Sequence, residues 1–126
     1  MKDNIYEFVK EYVSYFETSK EYKLKMEKVT ENCKHKQMIE EIRLNDSEAY
    51  SNILRLEDYG VLYEYSKFML QYFDKKRLLR MDNLKIAELT KVPLPAVRRF
   101  ENLQDIAPFS FICAIGKSVN LTITWQ

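Results

Sequence analysis

The sequence predicts a mainly α-helical protein with a short β-strand at its C-terminal end. Only two glycines and three prolines occur among 126 residues, which leaves few positions for the tight turns that a sandwich or barrel of many strands requires. Apolar residues make up 46% of the chain and include nine tyrosines and seven phenylalanines, enough to fill a folded core. Many of them recur at spacings of three and four, the period of one helix face.

Charge divides the chain into two halves, and we place the domain boundary near residue 66. Residues 1–66 carry 10 Lys/Arg and 14 Asp/Glu, a net charge of −4, whereas residues 67–126 carry 10 and 5, a net charge of +5. A basic half suits a polyanion, and an acidic half repels one. We interpret residues 1–66 as an acidic helical module for partner binding or oligomerisation, and residues 67–126 as a basic nucleic-acid-binding domain. No Gly/Ser linker separates the halves, so they can share one core.

The sequence argues against an enzyme, a metal site and a membrane protein. Cys33 and Cys113 lie far apart, and neither belongs to a set of ligands at zinc spacing. The single histidine, His35, has no implied nucleophile or acid partner, and two glycines cannot form a phosphate-binding loop. The N-terminus lacks an apolar signal core, and no stretch approaches the length of a membrane span. We expect a cytoplasmic protein of a bacterium or phage, without cofactor, metal or enzymatic activity.

The N-terminal half is predicted to form an extension of successive helices. The segment Asn4–Glu17 carries one apolar stripe on a helix, formed by Ile5, Phe8, Val9, Tyr12, Val13 and Phe16. Ser19–Leu44 has only a thin apolar stripe among alternating lysines and glutamates, which is typical of a long, partly exposed helix. Asn45–Ser47 supplies cap-type residues for a shorter helix that ends near Gly60. Another helix is predicted for Val61–Arg80.

Residues 82–102, DNLKIAELTKVPLPAVRRFEN, predict two short helices joined by a tight turn. Asp82 can cap the first helix, Thr90–Val92 make the turn, and Pro93–Pro95 open the second helix, where prolines are tolerated because the first N–H groups lack helical partners. The small side chain of Ala87 lets the two helices cross closely. The first helix holds the apolar residues Leu84, Ile86, Ala87 and Leu89, and Val97 and Phe100 of the second helix face inward. The tail Val119–Trp125 alternates apolar and polar residues, which predicts the strand.

This stretch resembles the Cro/cI-like, or XRE, helix-turn-helix family, and within it the HipB-type antitoxins, over about residues 67–125. The resemblance rests on Ile86, Ala87, Thr90, Val92, Val97, Phe100, Glu101, Asn102, Ala114, Ile115 and Gly116. It implies a lambda-repressor-like helix-turn-helix domain that reads double-stranded DNA. HipB-like antitoxins follow this domain with a short strand that pairs across a two-fold axis, so the resemblance also implies a homodimer.

The resemblance assigns roles to residues on and around the second of the two helices in residues 82–102, which is expected to enter the major groove. Base edges are expected to be contacted by Leu94, Pro95, Ala96 and Arg99. Arg99 stands where the family commonly reaches a base, and an arginine fork suits guanine. Phosphates are expected to be contacted by Asn83, Lys75, Arg77, Lys85, Lys91 and Arg98. Lys76 and Glu101 stand where the family has a structural ion pair.

Several positions depart from the family pattern. Lys91 occupies a turn position where the family usually has glycine, so a left-handed conformation is expected there at a cost of roughly 1 kcal/mol. Arg80 likewise replaces a frequent glycine, and Pro93 takes the usual place of an N-cap serine or threonine. The segment Glu101–Gly116 is shorter than usual in the family. The fourth helix of the family's domain, near Ala107–Ile115 here, is therefore predicted to be truncated.

Two functions remain open on this basis. The first is a DNA-binding transcriptional regulator, a dimeric autorepressor at its own promoter such as an antitoxin or a phage repressor, whose N-terminal helices bind a toxin or another protein. The second is a protein-binding inhibitor or adaptor, for example a phage anti-defence protein, which acts through residues 1–66 while the C-terminal domain dimerises or regulates.

Overall fold

The structure is a computed structural model that describes residues 4–18 and 36–121. These residues form seven α-helices and no strand. The helices are α1 (Asn4–Thr18), α2 (Lys36–Asn45), α3 (Ser47–Asp58), α4 (Leu62–Leu78), α5 (Asn83–Thr90), α6 (Leu94–Glu101) and α7 (Phe109–Ser118). The prediction of a mainly α-helical protein is confirmed for this part of the chain.

Helix α1 lies along α4 and buries the apolar stripe that its spacing predicts. The buried residues of this stripe are Ile5, Phe8, Val9, Tyr12 and Val13. Near the end of α1, the Phe16 ring stacks on the Tyr63 ring of α4 with 4.2 Å between centroids. Because burial of apolar surface is the main favourable term in folding, these contacts make α1 part of the core.

Asp46 separates α2 from α3 and caps α3, as the sequence predicts. Its carboxylate accepts a hydrogen bond from the backbone N–H of Ala49 at 3.1 Å. After α3, Gly60 takes a left-handed φ of 74°, which glycine adopts without a steric penalty. Of the long helix predicted for Ser19–Leu44, the part from Lys36 onward is confirmed, and residues 19–35 lie outside the described residues.

Helix α4 runs through the predicted domain boundary. Ser66 lies inside this helix and is only 1% exposed. Buried apolar residues from both halves of the chain form one cluster around α4, which joins Phe8 and Ile53 of the acidic half to Val97 and Ile115 of the basic half. The two halves of opposite charge therefore share one core, and their division into two domains stays a prediction.

Both residues that replace an expected glycine adopt the left-handed conformation. Lys91 has φ 60° and ψ 36°, and Arg80 has φ 55°. Lys91 ends α5, where its backbone N–H donates to the carbonyl of Ala87, and a left-handed residue commonly closes a helix in this way. The left-handed conformation predicted for Lys91 is therefore confirmed. Lysine adopts it with the steric cost that glycine would avoid.

Two predictions for the C-terminal segment need correction. Helix α7 begins at Phe109 rather than near Ala107, because the residue before a proline is disfavoured in a helix and Pro108 is the N-cap. The strand predicted to begin at Val119 does not begin there, because Val119 and Asn120 form a turn with Asn120 at φ 61°. This turn lets the N–H of Leu121 reach the carbonyl of Gly116 at 2.8 Å and close α7. Residues 122–126 of the predicted strand lie outside the described residues.

Candidate nucleic-acid interface

Buried side chains hold α5 and α6 together as one unit. Helix α5 packs against both α6 and α7. Ile86 and Ala87 of α5 and Val97 and Phe100 of α6 are all buried. Asp82 caps α5, because its carboxylate accepts a hydrogen bond from the Lys85 N–H at 2.8 Å. Since Pro93 at the N-cap of α6 makes no side-chain hydrogen bond, packing rather than capping fixes the start of α6.

A largely buried polar network fastens the end of α6 to α4. Glu101 Oε2 accepts hydrogen bonds from Lys76 Nζ at 2.8 Å and from the Tyr72 hydroxyl at 2.5 Å. Lys76 also donates to the side-chain oxygen of Asn83 at the start of α5. Burial, reinforced by the Glu101 carboxylate, holds the pKa of Tyr72 well above its ordinary value, so its hydroxyl remains a donor. The network joins three helices and brings together Lys76 and Glu101, the pair named from the resemblance.

The outer face of α6 and the turn before it carry basic side chains without partners. Pro95 and Arg98 are exposed on α6, and Lys91 is exposed in the turn. The side chains of Arg98 and Lys91 make no hydrogen bond or ion pair with any described residue. Leu94 and Ala96, which were expected at base edges, are half-buried instead. The solvent-facing part of α6 is therefore positively charged, and it includes fewer of the predicted base-contacting residues than expected.

Arg99 is held by two carboxylates. Its Nε and Nη2 donate to the two oxygens of Asp105 at 2.8 and 3.1 Å, and Nη2 also donates to Glu48 Oε2 at 2.9 Å. The hydrogen bond to Asp105, followed by that to Glu48, raises the pKa of Arg99 above its ordinary value. Arg99 in turn lowers the pKa of Asp105. In this structure, acidic side chains of the same chain bind the guanidinium that was expected to contact a base.

Helix α3 flanks the side of α6 that carries Arg99. The buried Asn52 side chain donates to the carbonyl of Leu103 at 2.8 Å, and Gln104 Nε2 donates to Asp46 Oδ2 at 2.9 Å. Ala96 lines a groove of about 720 Å³ between α3 and the chain that follows α6. Polar contacts therefore connect α3 and its N-cap Asp46 to the turn that follows α6, while Pro95 and Arg98 on α6 stay exposed.

The remaining predicted phosphate contacts lie in different surroundings. The guanidinium carbon of Arg77 lies 4.7 Å from the centroid of the Tyr6 ring, and Nη1 donates to the Tyr6 hydroxyl at 3.1 Å. Arg77 therefore faces α1. Lys85 is exposed and forms an ion pair with Glu88 at 3.3 Å. Lys75 is half-buried in the last turn of α4.

The sequence reasoning missed Glu48 and Asp105 as residues of this region. Asp105 is six positions from Arg99 in a loop, and Glu48 is 51 positions away on another helix. The opposite net charges of the two halves were a signal that they could attract each other. Charge alone does not select which carboxylate meets Arg99, because that choice depends on how α3 packs.

Membrane-spanning helices, metal sites and similarity to known proteins also bear on the function. Among the described residues, no helix is both apolar enough and long enough to cross a membrane. In the same part of the chain, no group of three or more His, Cys, Asp or Glu side chains is arranged to hold a metal ion. Comparisons with protein-family models, with curated proteins and with solved structures give no match to this chain. The function is therefore inferred from the sequence and from contacts within the chain.

Proposed function

We propose that this protein is a cytoplasmic transcriptional regulator that binds double-stranded DNA through α6 and the turn before it. The observation that carries the proposal is the pair of exposed basic side chains, Arg98 and Lys91, which have no partner among the described residues. Such side chains suit phosphates, since each contact releases counterions from DNA. A helix such as α6 is about 10–12 Å across with its side chains, which fits a major groove about 12 Å wide.

The contacts that fix α6 against the rest of the protein support this role. A helix that reads DNA must hold its register against the duplex, and phosphate contacts fix that register. The ion pair between Lys76 and Glu101 at 2.8 Å and the buried Phe100 hold α6 from behind. Arg98 and Lys91 then contact phosphates, while Pro95 lies nearest the base edges.

The regulator acts as a homodimer at its own promoter, as an antitoxin or phage repressor does. Two-fold-related copies place two recognition helices one turn of DNA apart, which gives a pair of half-sites. Leu79 and Leu89 are 40% and 47% exposed and line a groove of about 610 Å³ beside α7. Lys85 and Lys117 line the same groove, so the surface offered to a second copy of the chain combines exposed leucines with charged side chains. Sedimentation equilibrium tests for a dimer.

A salt titration of DNA binding tests the proposal. The probe is a labelled duplex spanning the region upstream of the coding sequence, and anisotropy gives its affinity between about 50 and 200 mM salt. We expect the double substitution Lys91→Ala and Arg98→Ala to lower the salt slope by about two. Lys10→Ala removes an exposed lysine from α1 and should leave the slope unchanged. A slope that is equal in all three proteins, or no binding at low salt, contradicts the proposal.

The second candidate is a protein-binding inhibitor or adaptor that acts through residues 1–66. Leu44 at the end of α2 and Tyr59 after α3 are the groups to test for such a contact, because they are 69% and 67% exposed. Leu78, Leu84 and Phe109 of the basic half are comparably exposed, so the test must show that the contact lies within residues 1–66. Deleting residues 1–66 would cut into α4 and uncover its buried face, so full-length variants are needed. Absence of DNA binding, together with a cellular crosslink that Leu44→Ser and Tyr59→Ser abolish, favours this candidate.

A further inference from the structure

The contact between Glu48 and Arg99 points to control of base reading by the N-terminal half. We propose that Glu48 competes with DNA for Arg99, while Asp105 orients the same guanidinium, so that α3 limits the sequence preference of α6. This inference rests on the proposed function, because it concerns which bases the DNA-binding helix recognises. Glu48 is a blocking residue and Asp105 a positioning residue.

Asp105 and Glu48 contact different edges of the Arg99 guanidinium. Asp105 takes the edge formed by Nε and Nη2, with one carboxylate oxygen on each nitrogen at 2.8 and 3.1 Å. Glu48 lies 2.9 Å from Nη2 and the Gln104 carbonyl lies 3.1 Å from it. Nη2 has only two hydrogens, so three acceptors already compete for them. Nη1 makes no hydrogen bond with any described residue.

Guanine recognition needs two parallel N–H groups on one edge of the guanidinium. With Asp105 on the edge of Nε and Nη2, the edge of Nη1 and Nη2 is the one that can meet a base. Glu48 lies on that second edge through Nη2. Removing Glu48 takes the charged acceptor from the reading edge and leaves only the neutral Gln104 carbonyl, at 3.1 Å from Nη2, to compete there with a base, whereas removing Asp105 loosens the orientation of Arg99.

The blocking contact can break without loss of the core. The Glu48 and Arg99 side chains are 57% and 39% exposed. The attachment of α3 depends instead on the buried Ala49 and Ile53 and on the bond from Asn52 to the Leu103 carbonyl. An exposed ion pair is weak enough for a nearby phosphate or base to displace it.

Glu48→Ala tests the inference, with Glu41→Ala as the control that removes an exposed carboxylate from α2. Affinities are measured for the upstream duplex and for a scrambled duplex of the same length. We expect Glu48→Ala to strengthen binding to the upstream duplex about two- to fivefold, the worth of an exposed ion pair, and to raise its preference over the scrambled duplex. The same gain should be absent when Arg99→Ala is also present. Thermal melts of each variant verify folding.

Asp105→Asn separates positioning from simple charge repulsion. We expect it to lower the ratio of the two affinities, because a loosened Arg99 discriminates less. If Asp105→Asn raises that ratio as Glu48→Ala does, the positioning role is overturned.

The outcomes distinguish this inference from the proposed function. If the wild-type protein binds DNA and Glu48→Ala matches Glu41→Ala, the blocking role is overturned and the DNA-binding function stands. If no variant binds either duplex at low salt, the proposed function itself fails.

Discussion

Replacing Lys76 with methionine should destabilise the fold far more than the loss of an exposed ion pair would. Methionine keeps most of the side-chain length but removes the ammonium that lies 2.8 Å from Glu101. Glu101 is then left with a single hydrogen-bond donor from its side-chain network, the Tyr72 hydroxyl at 2.5 Å. Breaking a buried ion pair by removing one partner costs about 3–5 kcal/mol. Because Lys76 and Glu101 keep 17% and 14% exposure, we expect a smaller loss of about 2 kcal/mol.

Thermal and urea unfolding followed by circular dichroism measure this loss. Unfolding entropy is about 2.1 cal/mol/K per residue, so a chain of 126 residues should lose about 8 °C in Tm for 2 kcal/mol. The matched control is Lys67→Met, because Lys67 and Glu17 lie 3.7 Å apart with side chains 46% and 43% exposed. That substitution should cost under about 0.5 kcal/mol. Equal losses in the two variants would refute the assignment of Lys76 as a structural cation.

Three further predictions concern caps, turns and pH. Lys91→Gly should raise the free energy of unfolding by about 1 kcal/mol, because glycine removes the steric cost of the left-handed turn; an unchanged urea midpoint contradicts this. Asp46→Ala should lower it by about 1–2 kcal/mol, since the Ala49 N–H loses its capping acceptor and Gln104 Nε2 loses its acceptor as well, and Asp58→Ala at the far end of the same helix is the control. Burial raises the pKa of Tyr65 from 10.0 to about 12. Because the folded pKa exceeds the unfolded one, this contribution to stability is complete below about pH 10 and is lost as pH rises towards about 12. In Tyr65→Phe, urea unfolding should show a smaller decline over that range, and an identical decline argues against the buried phenol.

Local patterns predicted most of the fold because their physical causes are local. The spacing of Phe8, Val9 and Tyr12 predicts the face of α1 that is buried, since side chains three and four positions apart share one side of a helix. A cap within residues 45–47 is predicted in the same way, and Asp46 provides it through a hydrogen-bond partner only three residues away. The strand at Val119 was predicted from alternation and from the resemblance, but Asn120 adopts a left-handed conformation that ends α7 in a turn instead.

The candidate site was harder to predict, because its contacts join distant parts of the chain. Arg99 was assigned to a base edge from the resemblance, but Glu48 reaches it from 51 positions away. Arg77 was assigned to phosphate from the same resemblance, but Tyr6 of α1 lies against its guanidinium. Neither partner follows from local spacing, since each depends on how one helix packs on another. The exposure of Arg98 follows more directly, because it lies on the face of α6 opposite the buried residues.

Mapping DNA contacts by NMR tests the central claim most directly. A uniformly ¹⁵N-labelled protein is titrated with the upstream duplex at about 50 mM salt, where phosphate contacts are strong. We expect the largest amide shifts in the turn at Lys91 and along α6 to Arg98, with small shifts around Leu44 and Tyr59. Shifts confined to α2 and α3, or none at saturating duplex, would contradict DNA binding through α6.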